Sequence, residues 1–468
     1  MQKSRLLELF KSLDKVEVKK LRKWVRSPFF NQREDVILLF DYLDKNRPFE
    51  KLERLDRQYI FSKIFPKENY DEKKIGYAQS FLMAEIKKFI AYQEFTQDEM
   101  RPQIYMTRNL RKRGLNRHFE SEWKNANELL EKQPLRNADF HFYNFQLQNE
   151  QHEYANSLSR KEPKGLQEAS DELTNYFVAK KLKLGCDQLN AKHLINADYQ
   201  QEFLEKVLTH VTEKDISDSP AIQIYYEGFR ILSGTNDISL YKNFRFLLNK
   251  NHKYFPKLEL KYLYLVAINF CIKQHNAGNG GHFTREAFNL YKEGLRGGAF
   301  LENGFLTRFT YKNIVSAANY LKEFEWVEKF IYEYKEFLDP VWKEDTFNYC
   351  LAIMFYSMPN YDKAMKLLQT TEFKDKFLQL NARILLIKMY FHLKEYDALE
   401  SLLDSFTRYL SRHNELGYHK NQNLNFVNVV RKLIRIAKHD KTSLKNLKIE
   451  VEQMEVLFDK KWILKQFD

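Results

Sequence analysis

Apolar residues recur at helical spacing along nearly the whole chain, and most of these runs end at a recognisable break. From Asp71 to about Phe95, the set Ile75, Ala78, Leu82, Ile86 and Ile90 falls on one face of a single long helix. Upstream, Ser27-Pro28-Phe29-Phe30-Asn31 ends one helix and begins another, because Pro28 disfavours helical geometry at Ser27. Asn31 followed by Glu34 comes close to capping-box spacing, ahead of Val36, Leu39, Phe40 and Leu43. A short helix is expected from Asp56 to Phe65, stopped by Pro66. Residues 1–100 thus read as a compact helical cap. Helices are expected next at roughly 102–113, 117–133, 138–158, 166–195 and 199–214, forming irregular pairs over 101–218. Ser159 to Gly165 reads as a linker, and Asp215 to Pro220 as a second break with Ser219 as N-cap and Pro220 at the first helical position.

From 219 to 440 the pattern turns repetitive: a helix rich in aromatic and small residues, a short turn, then a second helix. The clearest unit has Leu351-Ala352 and Phe355 on its first helix, a turn at Pro359-Asn360, and Tyr361, Ala364 and Leu368 on its second. Ile387, Tyr390, Tyr396, Leu399 and Leu403 repeat this pattern about 35 residues on, and Val315, Ala318, Trp326, Val327 and Ile331 precede it at a similar offset. An earlier unit is headed by Ala267 and Ala287, with a longer connection between its helices. A last helix from about Thr442 to Phe467 would close the stack with Leu444, Leu447, Val451, Met454, Phe458 and Trp462.

These spacings resemble those of the tetratricopeptide repeat family, whose units of about 34 residues carry Leu, Gly or Ala, Tyr, Ala and Phe at comparable offsets. The early Trp of that family is missing here, and its helix-closing Pro appears only near Pro340. The resemblance implies an all-α fold, a right-handed α-solenoid of antiparallel helix pairs, whose groove binds proteins. The whole chain is also similar to Phe/Tyr/Lys-rich helical proteins of unknown function common in Bacteroidota, which implies no activity. A further stretch is similar to one pentatricopeptide unit and half of another: Ala287-Phe288-Asn289-Leu290-Tyr291, Thr310-Tyr311-Lys312-Asn313-Ile314-Val315 and Trp326-Val327-Glu328-Lys329-Phe330. That family reads RNA bases through polar positions recurring in successive units, and the units at 346 and 381 lack the Thr-Tyr-Lys-Asn string.

Composition agrees with the helical pattern. Among 468 residues there are 14 glycines and 10 prolines, well under the usual ~7% and ~5%, so turn-rich sheet folds are excluded along with collagen-like and low-complexity classes. Disorder is excluded by 44% apolar and 15% aromatic residues. Seven of the 14 glycines fall between Gly278 and Gly304. Within that segment Asn276 to Thr284 reads as a long connection, with Thr284 as N-cap and Gly294 ending the helix. Gly280, Gly281 and His282 would offer a binding loop ahead of a helix whose N-terminal amides can hold an anion.

Net charge is +13, of which 1–140 carries +8 and 341–468 carries +5, leaving the middle balanced. Basic stripes are expected at Lys19, Lys23 and Arg26, at Arg111-Lys112-Arg113 with Arg117, and at Arg431, Lys432, Arg435 and Lys438. The last lies beside an inward face of Phe426, Val430, Leu433 and Ala437. Such stripes can grip phosphates, but exposed aromatics interleaved with them, as base stacking needs, are not evident in the sequence.

Little points to catalysis. There is no GxxxxGK followed by Ser or Thr, no GxGxxG after a strand, no HExxH and no GxSxG, and the 12 histidines never pair at one-turn spacing. Cys186, Cys271 and Cys350 are far apart on apolar stretches and read as buried thiols in a reducing, cytoplasmic setting. The longest apolar stretch, Tyr262 to Ile272, is interrupted by Asn269 and too short to span a bilayer. The expectation is a non-catalytic scaffold or adaptor without cofactor or metal that binds a protein or peptide. A nucleic-acid-binding protein is the alternative, and an unrecognised enzyme the third.

Overall fold

A computed structural model describes residues 4–158, 164–195, 199–213, 219–234, 236–413, 417–436 and 440–467. The fold is all-α: apart from one minute hairpin, the elements of the described residues are helices. None of these helices is long and apolar enough to cross a membrane. The chain divides into two compact units, 1–178 and 179–468.

The first unit begins with α1 (Arg5–Ser12), α2 (Lys15–Val25), α3 (Glu34–Lys45), α4 (Arg57–Ile64) and α5 (Glu72–Gln97). Asp14 starts α2 with a full capping box: its carboxylate accepts from the Glu17 amide at 2.8 Å, and the Glu17 carboxylate accepts from the Asp14 amide at 2.8 Å. Asn31 does not cap α3 as its spacing suggests. It is buried, its amide group donates to the Val25 carbonyl at 2.7 Å, and Arg33 takes the N-cap position. The five helices share one core that includes Phe10, Leu21, Phe40, Ile60 and Leu82. Helices α6 (Met100–Lys112), α7 (Asn116–Lys132) and α8 (Ala138–Leu158) form a second cluster around Ile104, Leu130 and Leu147. Glu150 on α8 is buried there, and Arg108 and Arg111 of α6 reach its two oxygens at 2.6 and 2.8 Å. A buried carboxylate needs this double pairing to offset its lost hydration. Helix α9 (Leu166–Ile195) follows and contains the boundary between units. The linker read at 159–165 falls largely on residues 159–163, outside the described ones, as does most of the break before Ser219.

The second unit continues from α9 through α10 (Leu204–Glu213), α11 (Pro220–Leu232), α12 (Ile238–Asn251), α13 (Lys257–Asn276) and α14 (Gly280–Arg296). Strands β1 (Leu301–Glu302) and β2 (Phe305–Leu306) form the hairpin, followed by α15 (Arg308–Tyr320), α16 (Phe324–Glu333), α17 (Lys343–Ser357) and α18 (Tyr361–Thr370). The chain ends with α19 (Lys376–Leu393), α20 (Tyr396–Arg412), α21 (Tyr418–Arg435), α22 (Lys441–Gln453) and α23 (Lys460–Leu464). Successive helices pack on one another: α11 on α12, α13 on α14, α17 on α18, α19 on α20. Alternate helices also touch, α11 with α13, α15 with α17, and α17 with α19. Ala352 on α17 and Ala364 on α18 are fully buried, the size required where two helix backbones approach closely.

Two expectations fail locally, and one element is additional. The closing helix is broken: α22 ends at Gln453 and α23 begins at Lys460, although Leu447 and Val451 are buried and Met454, Phe458 and Trp462 pack on the same core. The connection between α13 and α14 is short, only residues 277–279, because both helices run longer than their glycines and polar residues imply. The hairpin was not foreseen. Asn303 and Gly304 both take positive φ at its tip, 50° and 83°, as a tight two-residue turn requires.

Candidate functional site

The glycine-rich segment is largely helix. Asn279 is the N-cap of α14, so Gly280, Gly281 and His282 form its first turn rather than a loop, and Thr284 lies inside the helix. Thr284 Oγ1 donates to the Gly280 carbonyl at 2.6 Å. Gly294 is also interior, and Gly297 takes the C-cap. A Cβ at 294 would sit 2.2 Å from the Phe300 ring, so glycine is there for packing. Gly280 has a similar role, since a Cβ there would lie 2.8 Å from the Tyr320 hydroxyl.

Beside that first turn, α13, α14 and α15 enclose a pocket of about 310 Å³. Cys271, Ile272 and His275 line it from α13; Phe283, Thr284, Ala287 and Tyr291 from α14; Asn313, Ser316, Ala317 and Tyr320 from α15. Phe283, Ala287 and Tyr291 are buried, whereas Ile272, Asn313, Ser316 and Tyr320 are exposed at the rim. The His275 ring stands edge-on to Tyr320, with centroids 4.8 Å apart. Its Nδ1 lies 2.7 Å from Thr284 Oγ1. As the Thr284 hydroxyl proton is committed to the Gly280 carbonyl, Nδ1 of a neutral His275 carries the ring hydrogen and Nε2 the free lone pair. No Asp, Glu, Lys or Arg lines the pocket.

The pocket is chemically quiet. Burial pushes the Cys271 thiol up to about 12, and its sulfur lies 3.3 Å from the Tyr241 hydroxyl. Burial likewise raises the Tyr291 hydroxyl to about 12, against a smaller opposing effect from Asn313. Neither group ionises near neutrality, so neither is a ready nucleophile or base. Cys186 and Cys350 are buried too, with thiols pushed up by desolvation. Among the described residues no group of His, Cys, Asp or Glu is arranged to hold a metal ion.

The structure brings Arg431, Lys432 and Arg435 together along a second hollow of about 350 Å³, with Asn425, Asn428 and Glu450. Each of these cations already faces a carboxylate. Arg431 lies 2.9 Å from Asp404, Lys432 2.7 Å from Glu450, and Arg435 3.5 Å from Glu400. These acids offset part of the positive charge that a phosphate would meet here. Lys438 and Ala437 lie outside the described residues. Arg111 is likewise engaged, by Glu150, and Arg26 by Asp41 at 2.7 Å.

Exposed aromatics, not evident in the sequence, do occur near the N-terminal stripe. Phe29 is 87% exposed and meets Phe30 edge-on; Phe30 stacks 3.6 Å from the indole of Trp24. Tyr92 of α5 joins this cluster, and Lys19 and Lys23 are exposed on α2. The pocket residues were missed because they come from three helices and carry no motif. Ala287, Tyr291 and Asn313 do lie in the strings similar to pentatricopeptide units, but Tyr311 there is structural, its hydroxyl donating to the Ile331 carbonyl at 2.6 Å. Comparisons with protein-family models, curated proteins and solved structures gave no match to this chain.

Proposed function

We propose that this protein is a non-catalytic interaction scaffold of the cytoplasm whose second unit, a tetratricopeptide-like stack of helix pairs, binds a protein or peptide in its groove. The observation that carries the reading is the pocket between α13, α14 and α15, lined by three successive helices of a neighbour-packed series. Helix pairs stacked in sequence expose such gaps along one face, and extended partners occupy them. Thiol and phenol groups held neutral by burial favour binding over catalysis at this place.

The test is a crosslinked pull-down from source-cell extract with the wild type and with Ser316→Trp, which puts an indole across the pocket mouth. A stoichiometric partner captured by the wild type and lost from the variant is expected. Repeated recovery of no partner, or equal capture by both chains, overturns the reading. A second reading, single-stranded nucleic acid on the first unit, is favoured by one observation: the exposed Phe29, Phe30 and Tyr92 cluster on Trp24 of α2, the helix that also carries the exposed Lys19 and Lys23.

A further inference from the structure

We infer that the pocket between α13 and α15 is an anchor site for one aromatic side chain bearing a hydrogen-bond donor, a tyrosine or tryptophan of the bound polypeptide. This rests on the scaffold reading and adds what the groove selects.

Size sets the first limit. At about 310 Å³ the cavity stands at the small end of ligand pockets, room for one ring system with part of the chain that carries it. Charge sets the second. With no Asp, Glu, Lys or Arg on its walls, the pocket would strip a charged ligand of hydration and offer no ion pair in return. A neutral occupant follows. Shape sets the third. Phe283 is fixed edge-on against Phe270 and Tyr241, with centroids 6.0 and 6.2 Å away, so one aromatic wall is rigid. Tyr320 supplies a second wall, its hydroxyl lying where a Cβ at residue 280 would crowd it. Between the walls Ala287, Ser316 and Ala317 are small. A planar ring meets both walls edge or face on, which aromatic pairs prefer, whereas a branched aliphatic chain makes no such pairing.

Polarity sets the last limit. The hydrogen-bond chain from His275 Nδ1 through Thr284 Oγ1 to the Gly280 carbonyl fixes the imidazole tautomer, leaving Nε2 as an acceptor. A phenol O–H or indole N–H satisfies it; a phenyl ring leaves it without a partner.

Ligand-observed NMR with the full-length chain tests this, using p-cresol, 3-methylindole and toluene as free rings, and N-acetyl-tyrosinamide and N-acetyl-tryptophanamide as rings carrying a backbone. The donor-bearing rings should bind about tenfold tighter than toluene, the difference of one hydrogen bond in a closed site. Ser316→Trp, at an exposed position, should abolish binding. His275→Phe keeps a ring of similar size and should bring p-cresol and toluene to equal affinity; circular dichroism checks that both variants fold. Equal affinity for p-cresol and toluene in the wild type, or unchanged binding by Ser316→Trp, overturns the inference. If p-cresol binds and N-acetyl-tyrosinamide binds at least ten times more weakly, the occupant is a free small molecule and the polypeptide assignment falls. A partner captured in the pull-down without any ring binding sinks this inference and leaves the scaffold reading intact; ring binding with no partner overturns the scaffold reading and the polypeptide assignment with it, and leaves only a ring-selective pocket.

Discussion

Glycine at 294 illustrates how a residue chosen for its missing side chain can look like punctuation. In the sequence it marks a helix end. In the fold it sits inside the last turn of α14, with the Phe300 ring where a methyl group would be. Phe300 in turn packs against Tyr291, a pocket wall, with centroids 5.8 Å apart. Gly294→Ala would normally gain helix propensity, about 1 kcal/mol. Overpacking should outweigh that gain. Against an overpacking cost of about 1–3 kcal/mol, we expect a net loss of up to about 2 kcal/mol in urea unfolding, with weaker ring binding in the neighbouring pocket. A variant as stable as the wild type would mean that Phe300 can swing aside freely.

At the scale of elements, the helices of the first unit were readable because their signals are local. Asp56 and Asp71 cap α4 and α5 by accepting from amides two and three residues on, and both starts are visible as an acidic residue before a periodic run. The break between α22 and α23 was not readable, since Met454 and Phe458 continue the apolar spacing across it. Beyond the break Phe458 packs edge-on against Phe426 of α21 and Trp462 against Phe391 of α19, and the Phe458 amide donates to the Gln422 carbonyl at 3.3 Å. The pocket was invisible for a related reason: residues from 271 to 320 converge only after three helices have packed. Ion pairs between helices share that property. Glu150 holds α8 to α6 through Arg108 and Arg111, from 42 and 39 residues away. Glu150→Ala should cost about 3 kcal/mol, because two arginines lose the buried partner that made their position favourable. Glu150→Gln should cost less, as its carbonyl still accepts one of the two bonds. The measurement is the urea midpoint of each variant; an alanine variant indistinguishable from wild type would show that solvent takes over the arginines without penalty.

For the whole molecule, net charge is a poor guide to where anions bind. Both ends are basic by count, yet the ends differ in how those cations are used. The C-terminal stripe faces Asp404, Glu400 and Glu450. At the N-terminal end, Lys19 and Lys23 stand exposed on α2, which also carries the Trp24 on which Phe30 stacks. If single-stranded nucleic acid binds at all, it therefore binds there, and affinity falls steeply as salt rises. Lys19→Glu with Lys23→Glu should then remove binding of a single-stranded oligonucleotide at low salt, whereas Arg431→Ala leaves it nearly unchanged. No detectable binding at low salt by the wild type ends that reading and leaves the scaffold alone.

The hairpin offers a practical opening. Its tip, Asn303-Gly304, is exposed, and the paired strands bring Glu302 and Phe305 side by side. Its base is held: Leu306 is buried and bridges to Leu338, and Lys261 reaches Glu302 at 2.6 Å. A foreign domain whose own ends lie close together can be spliced in at the tip without prising α14 from α15. A fluorescent protein inserted there would report, by energy transfer, a labelled peptide arriving in the groove of an otherwise untouched chain.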